Sequence, residues 1–397
     1  MSLPNRLPVV KMSVLVCTAV ALLMAGAVAV AQDGQTFDNR RLFDNGPVDG
    51  KGGQEVSGPY QVVLNWPQRL EPGWTVSGDA IYVESPDRVY VGGRGTNRDQ
   101  YPHMWGPVTI RELHKSYQIP VSDRRLEHLV AVYDRDGKMV ESWTQWDSTI
   151  RSIQRVQVNP YDPDRHIWIT TGRRIFQFTH DGKTLVRTID QKDVPQDPPH
   201  FHVEELAWMP NGDLYAAGGF QITRFSRDGK YLGAFGELGT GPGQFGTGPA
   251  PSAGPADNSL DGTGIHGIVI DPTRRRIYVA DRVNSRIQVF DDNFRFLDEW
   301  PHILAPYAIR LTKDGRYLWV SDGYVMKLAK YDALTGRLIP NTTWGTFGAA
   351  PGAFWAPHDF ATDSEGNLYV AEDYNARVQK FVPRRDGNPE QLVGLLQ

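Results

Sequence analysis

IHGIVIDPTRRRIYVADRVNSRIQVFDDNFRFLDEW, from Ile265 to Trp300, is the stretch that decides the fold. It consists of four short apolar runs separated by three polar turns. Side chains in Ile268 to Ile270, Ile277 to Ala280 and Ile287 to Phe290 follow the two-residue period of strands, not the longer period of a helix. A strand–turn–strand–turn–strand–turn–strand unit is an antiparallel sheet with a free edge on each side. Such a unit becomes stable when neighbours of the same kind cover its faces.

The unit recurs. PHDFATDSEGNLYVAEDYNARVQKF, from Pro357 to Phe381, is a second clear copy, and weaker ones run from Val156 to Ile189, Leu206 to Gly236 and Ala308 to Leu338. A sixth begins at Ala80 with AIYVESPDRVYVGGRG, is interrupted from Thr96 to about Glu127, and resumes as HLVAVYDRDGKMVESW, ending at Trp143. Six units predict an all-β, six-bladed β-propeller. The segment YQVVLNW, Tyr60 to Trp66, precedes the first inner strand, so it is expected to supply the outermost strand of the last blade. That closes the ring through the two ends of the chain and leaves no open seam for aggregation. The Gly/Pro-rich stretch from Gly236 to Gly264 exceeds what a blade-to-blade link needs and reads as a surface loop over one face.

The N-terminal region is of another kind. Arg6 and Lys11 lead into an apolar run from Met12 to Ala31 that ends in Ala29-Val30-Ala31, the pattern of a signal peptide over residues 1–31. An uncleaved membrane anchor is the alternative. Both place the body of the protein outside the cytoplasm, periplasmic or secreted. Residues 32–58 are Gly- and Asp-rich and read as a flexible leader to a propeller over 59–397. Cys17, the single cysteine, lies in the apolar run, so a mature chain has no disulfide and no thiolate metal ligand. A net charge of −4 with both signs interspersed offers no basic field for nucleic acid. A small-molecule or peptide substrate, no membrane span in the mature chain and a monomeric state are the expectations that remain.

In a propeller the starts of the innermost strands surround a central channel, so equivalent positions in the six copies form a ring. Counting back from the common turn gives Asp79, Gln154, Glu204, His266, Tyr307 and His358. His266 and His358 lie two blades apart, with Gln154 at the third corner of that triangle. Two imidazoles and an open position suit a catalytic zinc. They equally suit hydrogen bonding across a water-filled channel. Glu204 is a candidate base, and His200 and His202 in PPHFHVEE lie beside it, His202 being a candidate third metal ligand. His103, Met104, Trp105 and His114 fall in the first-blade insertion and read as lid residues or solvated side chains. Arg286 and Arg377 read as partners of blade carboxylates.

GIHGIVIDPTRRRIYVADRVNSRIQVF and APHDFATDSEGNLYVAEDYNARVQKF resemble blades of the peptidyl-α-hydroxyglycine α-amidating lyases and of exported bacterial propellers built from NHL repeats. In those lyases a zinc held by three histidines assists removal of glyoxylate from a peptidyl α-hydroxyglycine; arginines hold the carboxylate and a tyrosine is the base. The resemblance implies zinc on His266 and His358, and a carboxylate bound by Arg94 and Arg282. A structural calcium is kept open. This chain departs from the pattern in two places: Ile153-Gln154 stands where the first ligand histidine belongs, and Gly219-Phe220 where the tyrosine belongs. The rival reading is a non-catalytic extracytoplasmic propeller that binds a protein or glycan through its loop face.

Overall fold

The computed structural model describes residues 57–71, 74–98, 124–195, 201–246 and 264–397. The signal-peptide and leader segments fall outside these, as do His103, Met104, Trp105, His114 and His200.

Six antiparallel sheets follow one another along the chain, and in all but the last the strands run in sequence order from the axis outward. Blade 1 comprises Ala80–Ser85, Arg88–Gly92, Val130–Tyr133 and Met139–Ser142. Blade 2 comprises Arg155–Val158, Ile167–Thr170, Ile175–Phe178 and Leu185–Ile189. Blade 3 runs through Glu205–Trp208, Leu214–Gly218, Gln221–Phe225 and Tyr231–Phe235, and blade 4 through Ile265–Asp271, Arg276–Asp281, Arg286–Asp291 and Phe296–Pro301. Blade 5 has three regular strands, Pro306–Leu311, Tyr317–Asp322 and Lys327–Asp332, whose outer edge is met by isolated bridges at Leu328–Trp344 and Tyr331–Leu338. Blade 6 comprises Pro357–Thr362, Leu368–Glu372 and Arg377–Pro383, and its outermost strand is Tyr60–Val63.

That last pairing makes the closure expected from the sequence, with Tyr60 opposite Pro383 and Val63 opposite Lys380. Tyr60 is fully buried among Trp344, Phe354, Phe360 and Phe381. Its hydroxyl accepts the Val393 N–H at 2.9 Å, so the two ends of the chain are held by one side chain.

Neighbouring blades are joined by tryptophans seated on glycine turns. Trp143, at the end of blade 1, packs where a Cβ on Gly182 of blade 2 would come within 2.2 Å of the indole. Trp300 of blade 4 meets Gly336 after blade 5 in the same way, also at 2.2 Å. Both glycines have φ near +67°, a left-handed conformation open to glycine at no steric cost, so turn and seam demand the same residue.

The first-blade insertion begins and ends in strand. Thr96–Arg98 pairs with Trp74–Val76 on one side and Arg124–Arg125 on the other. Within the long loop after blade 3, Glu237–Gly239 pairs in parallel with Gln244–Gly246.

Candidate active site at the channel mouth

The ring positions differ in backbone geometry. In blades 4, 5 and 6 the register shifts by one residue at the strand start, between Ile265 and Gly267, Pro306 and Ala308, and Pro357 and Asp359. His266, Tyr307 and His358 are the bulged residues. A β-bulge re-aims its side chain relative to the pleat, here toward the axis.

The two histidines are 3% exposed, with ring centroids 4.8 Å apart and planes at 87°. Nδ1 of His266 lies 2.7 Å from the Tyr307 carbonyl, and Nδ1 of His358 lies 2.7 Å from the Asp79 carbonyl. A carbonyl only accepts, so each Nδ1 carries the proton and each Nε2 carries the lone pair. This is the tautomer that a metal-binding histidine requires, fixed by a backbone acceptor. Burial holds both rings neutral well below the usual imidazole range. For His266 the charge of Arg282 adds to that effect; for His358 the charge of Arg155 does.

Arg155 was not among the residues singled out from the sequence. It is fully buried, and its fork crosses the axis: Nη1 donates to the Gln154 carbonyl at 2.8 Å, and Nη2 donates to the carbonyls of Tyr307 at 3.0 Å and His266 at 3.3 Å. The same nitrogens lie 3.1 Å from Nδ1 of His358 and 3.4 Å from Nδ1 of His266. Since those ring nitrogens are themselves donors, the contacts are charge against dipole. Nε of Arg155 faces Glu205 Oε1 at 3.7 Å. Glu205 in turn binds Arg310 Nη1 at 2.5 Å, and Arg310 Nη2 binds Asp359 at 2.5 Å. Spare carboxylate oxygens take the Ile268 N–H and the Ile81 N–H. Two guanidiniums and two carboxylates from blades 2, 3, 5 and 6 thereby meet across the axis and reach the backbones of blades 4 and 1. Where the sequence allowed a water-filled channel, the structure has an ion network. The signal was present: Arg155, Glu205 and Asp359 share one repeat position, directly after the ring.

Arg94 is engaged by two carboxylates, Asp79 at 2.8 Å and Asp373 at 3.2 Å. Arg282 stands over the Tyr307 ring, 5.0 Å from its centroid. Glu204 is 4% exposed; its Oε1 accepts from His202 Nε2 at 2.6 Å, and its Oε2 has no hydrogen-bond partner among the described residues. His202 lies against two glycines: a Cβ on Gly172 would be 3.4 Å from its Cε1, and one on Gly219 would be 3.5 Å from its Cβ. A histidine thus fills the space beside the turn that lacks the tyrosine.

Among the described residues, the group of three His, Asp or Glu side chains whose ligand atoms lie within 4.8 Å of one another is Asp162, Asp164 and His166. It sits in the turn ending the first strand of blade 2, away from the strand starts. No third such ligand joins His266 and His358 at that spacing among the described residues. Arg286 binds Asp281 at 2.8 Å and Glu299 at 2.6 Å, and Arg377 binds Glu372 at 2.8 Å, the structural pairings expected.

A closed ring of six antiparallel blades, the fifth with three regular strands and the others with four, defines a six-bladed β-propeller. The NHL repeat family matches residues 263–290 and 354–381, the two copies that carry His266 and His358. The chain is homologous to human NHL repeat-containing protein 3, at 28% identity over 82% of this chain and 84% of that protein. It is also homologous to peptidyl-alpha-hydroxyglycine alpha-amidating lyase 1 of Drosophila melanogaster, at 24% identity over 73% of this chain and 55% of that protein. Among solved structures, a streptogramin B lyase aligns over 82% of this chain and 98% of its own length, at 12% identity and a TM-score of 0.49.

Proposed function

We propose that the protein is an exported, metal-assisted, lyase-like enzyme acting on a small carboxylate-bearing substrate of the α-hydroxyglycine type at the channel mouth. The observation that carries this reading is the buried pair of neutral histidines, His266 and His358, each with Nδ1 tied to a backbone carbonyl and Nε2 left as a lone-pair donor. Two such nitrogens suit zinc and leave positions for water or substrate. When bound, the metal supplies Lewis-acid polarisation of a substrate oxygen. Arg282 binds the substrate carboxylate, for which a guanidinium fork is matched. Arg94, already held by Asp79 and Asp373, fixes the wall beside His358 and contributes the weaker pull on that carboxylate.

Cleavage of an α-hydroxyglycine requires the hydroxyl proton to leave, the carbonyl of glyoxylate to form, and the C–N electron pair to depart on the amide nitrogen, which takes a proton. Glu204 accepts the first proton through Oε2 and returns it to the nitrogen, while His202 holds Oε1.

The test is zinc uptake at saturating metal, read by equilibrium titration, together with glyoxylate release from an N-acyl-α-hydroxyglycine. Stoichiometric zinc, lost in His266→Ala and in His358→Ala, is expected with glyoxylate release that falls at least about 100-fold in Glu204→Gln. A protein that takes up no zinc and releases no glyoxylate sinks the enzyme reading. The alternative, a non-catalytic propeller that binds a protein or glycan through its loop face, is favoured by one observation: Gln154 and a buried guanidinium stand where a third histidine ligand belongs.

A further inference from the structure

We propose that Arg155 is a positioning residue of the histidine pair and the resident cation that limits how tightly this pair holds a divalent metal; the inference rests on the metal-assisted reading of the site. The guanidinium is fully buried, and its two Nη atoms lie 3.1 and 3.4 Å from the Nδ1 atoms of His358 and His266. A metal on the opposite nitrogens of those rings is therefore separated from a fixed positive charge by little more than an imidazole. Like charges at that range repel strongly where no water screens them.

Glu205 offsets the charge only in part, because its Oε1 is 2.5 Å from Arg310 and 3.7 Å from Arg155. Escape to solvent is closed to Arg155, whose fork is fastened to the carbonyls of Gln154, Tyr307 and His266. The Tyr307 carbonyl is also the acceptor that fixes the His266 tautomer, so one side chain sets both the orientation of the pair and its electrostatic potential. A metal held on these terms is bound weakly alone and more tightly with an anion beside it. A carboxylate between the metal and Arg282 is such an anion.

The decisive experiment is a competition titration of zinc against a chromophoric chelator, on the full chain. It compares the unaltered protein with Arg155→Lys, Arg155→Met and the double variant Arg155→Met/Glu205→Gln, each checked for a cooperative thermal transition. Both methionine variants are expected to bind zinc at least about tenfold more tightly, and Arg155→Lys within about threefold of the unaltered protein. Methionine variants that fold and bind no more tightly overturn the proposal. Arg155→Lys binding tenfold more tightly overturns it as well, since the charge is then not what limits affinity; this arm decides if the methionine variants fail to fold. Zinc uptake by the methionine variants but not by the unaltered protein upholds the proposal while removing the metal-assisted function. No uptake by any variant removes both.

Discussion

Blades 2 and 4 present the same two repeat positions to the axis and fill them in opposite ways. Blade 4 has His266 followed by Gly267, with a bulge between Ile265 and Gly267. Blade 2 has Gln154 followed by Arg155, in unbroken register: Arg155 faces Thr170, and the Gln154 N–H binds the Thr170 carbonyl. In blade 4 the ring residue is the chemical group and its successor is no more than a clearance, where a Cβ would come within 3.1 Å of Glu205 Oε2. In blade 2 the successor carries the chemistry. One residue of backbone register decides whether the group facing the axis is the ring residue or its successor, which is the general consequence of a two-residue side-chain period.

The largest effect is expected from breaking the floor on which this difference rests. Glu205→Ala leaves the Arg155 and Arg310 guanidiniums buried with Asp359 alone, and removing one partner of a buried pair costs about 3–5 kcal/mol. Urea unfolding measures it; a loss below about 1 kcal/mol means that the network does not tie the blades together.

The second effect is a pH dependence. His266 and His358 have pKa values depressed below 6.5 by burial and by neighbouring arginines, so the unfolded chain binds their protons first. Their contribution to stability is complete above the unfolded imidazole value and is lost as pH falls below it, by about 1.4 kcal/mol per pH unit per ring. In chelator, the two rings together are expected to leave the protein up to about 4 kcal/mol less stable at pH 5 than at pH 7. His266→Gln/His358→Gln should flatten that slope; an unchanged slope means that the rings are protonated in the folded state.

Gln154→His converts the ring position of blade 2 to that of blade 4. Zinc affinity is expected to rise about tenfold, worth about 1.4 kcal/mol. Because blade 2 lacks the bulge, the gain should stay well short of what a complete three-histidine site gives. Isothermal titration distinguishes a small gain from a full site, and a full site would show that register does not control the mouth.

The smallest effect is the control for the first. Arg275 and Asp292 form a bidentate pair at 2.6 and 2.9 Å on the surface of blade 4, with the arginine side chain 68% exposed. Arg275→Ala is expected to cost less than about 1 kcal/mol, since exposed pairs are screened by water. A cost equal to that of Glu205→Ala would mean that burial is not what makes the axial network matter.

The sequence by itself determined the blades, their number and their closure. Strand period, Asp/Gly turns and outer tryptophans are local features, and the reading of Tyr60 as the start of a closing strand needed only the count of outer strands. It also located the ring, because equivalent repeat positions must face one axis. Only the tertiary structure decided what stands at that axis. Whether Arg155 points into it depends on the absence of a bulge in blade 2. Whether its charge is tolerated there depends on Glu205, Arg310 and Asp359, which come from blades 3, 5 and 6. Arg94 against Asp373 is likewise a pairing made by closure, since it joins the first blade to the last. The physical reason is range: strands and turns form from neighbours in sequence, whereas a buried charge is settled by partners that only the completed ring brings within a few ångströms.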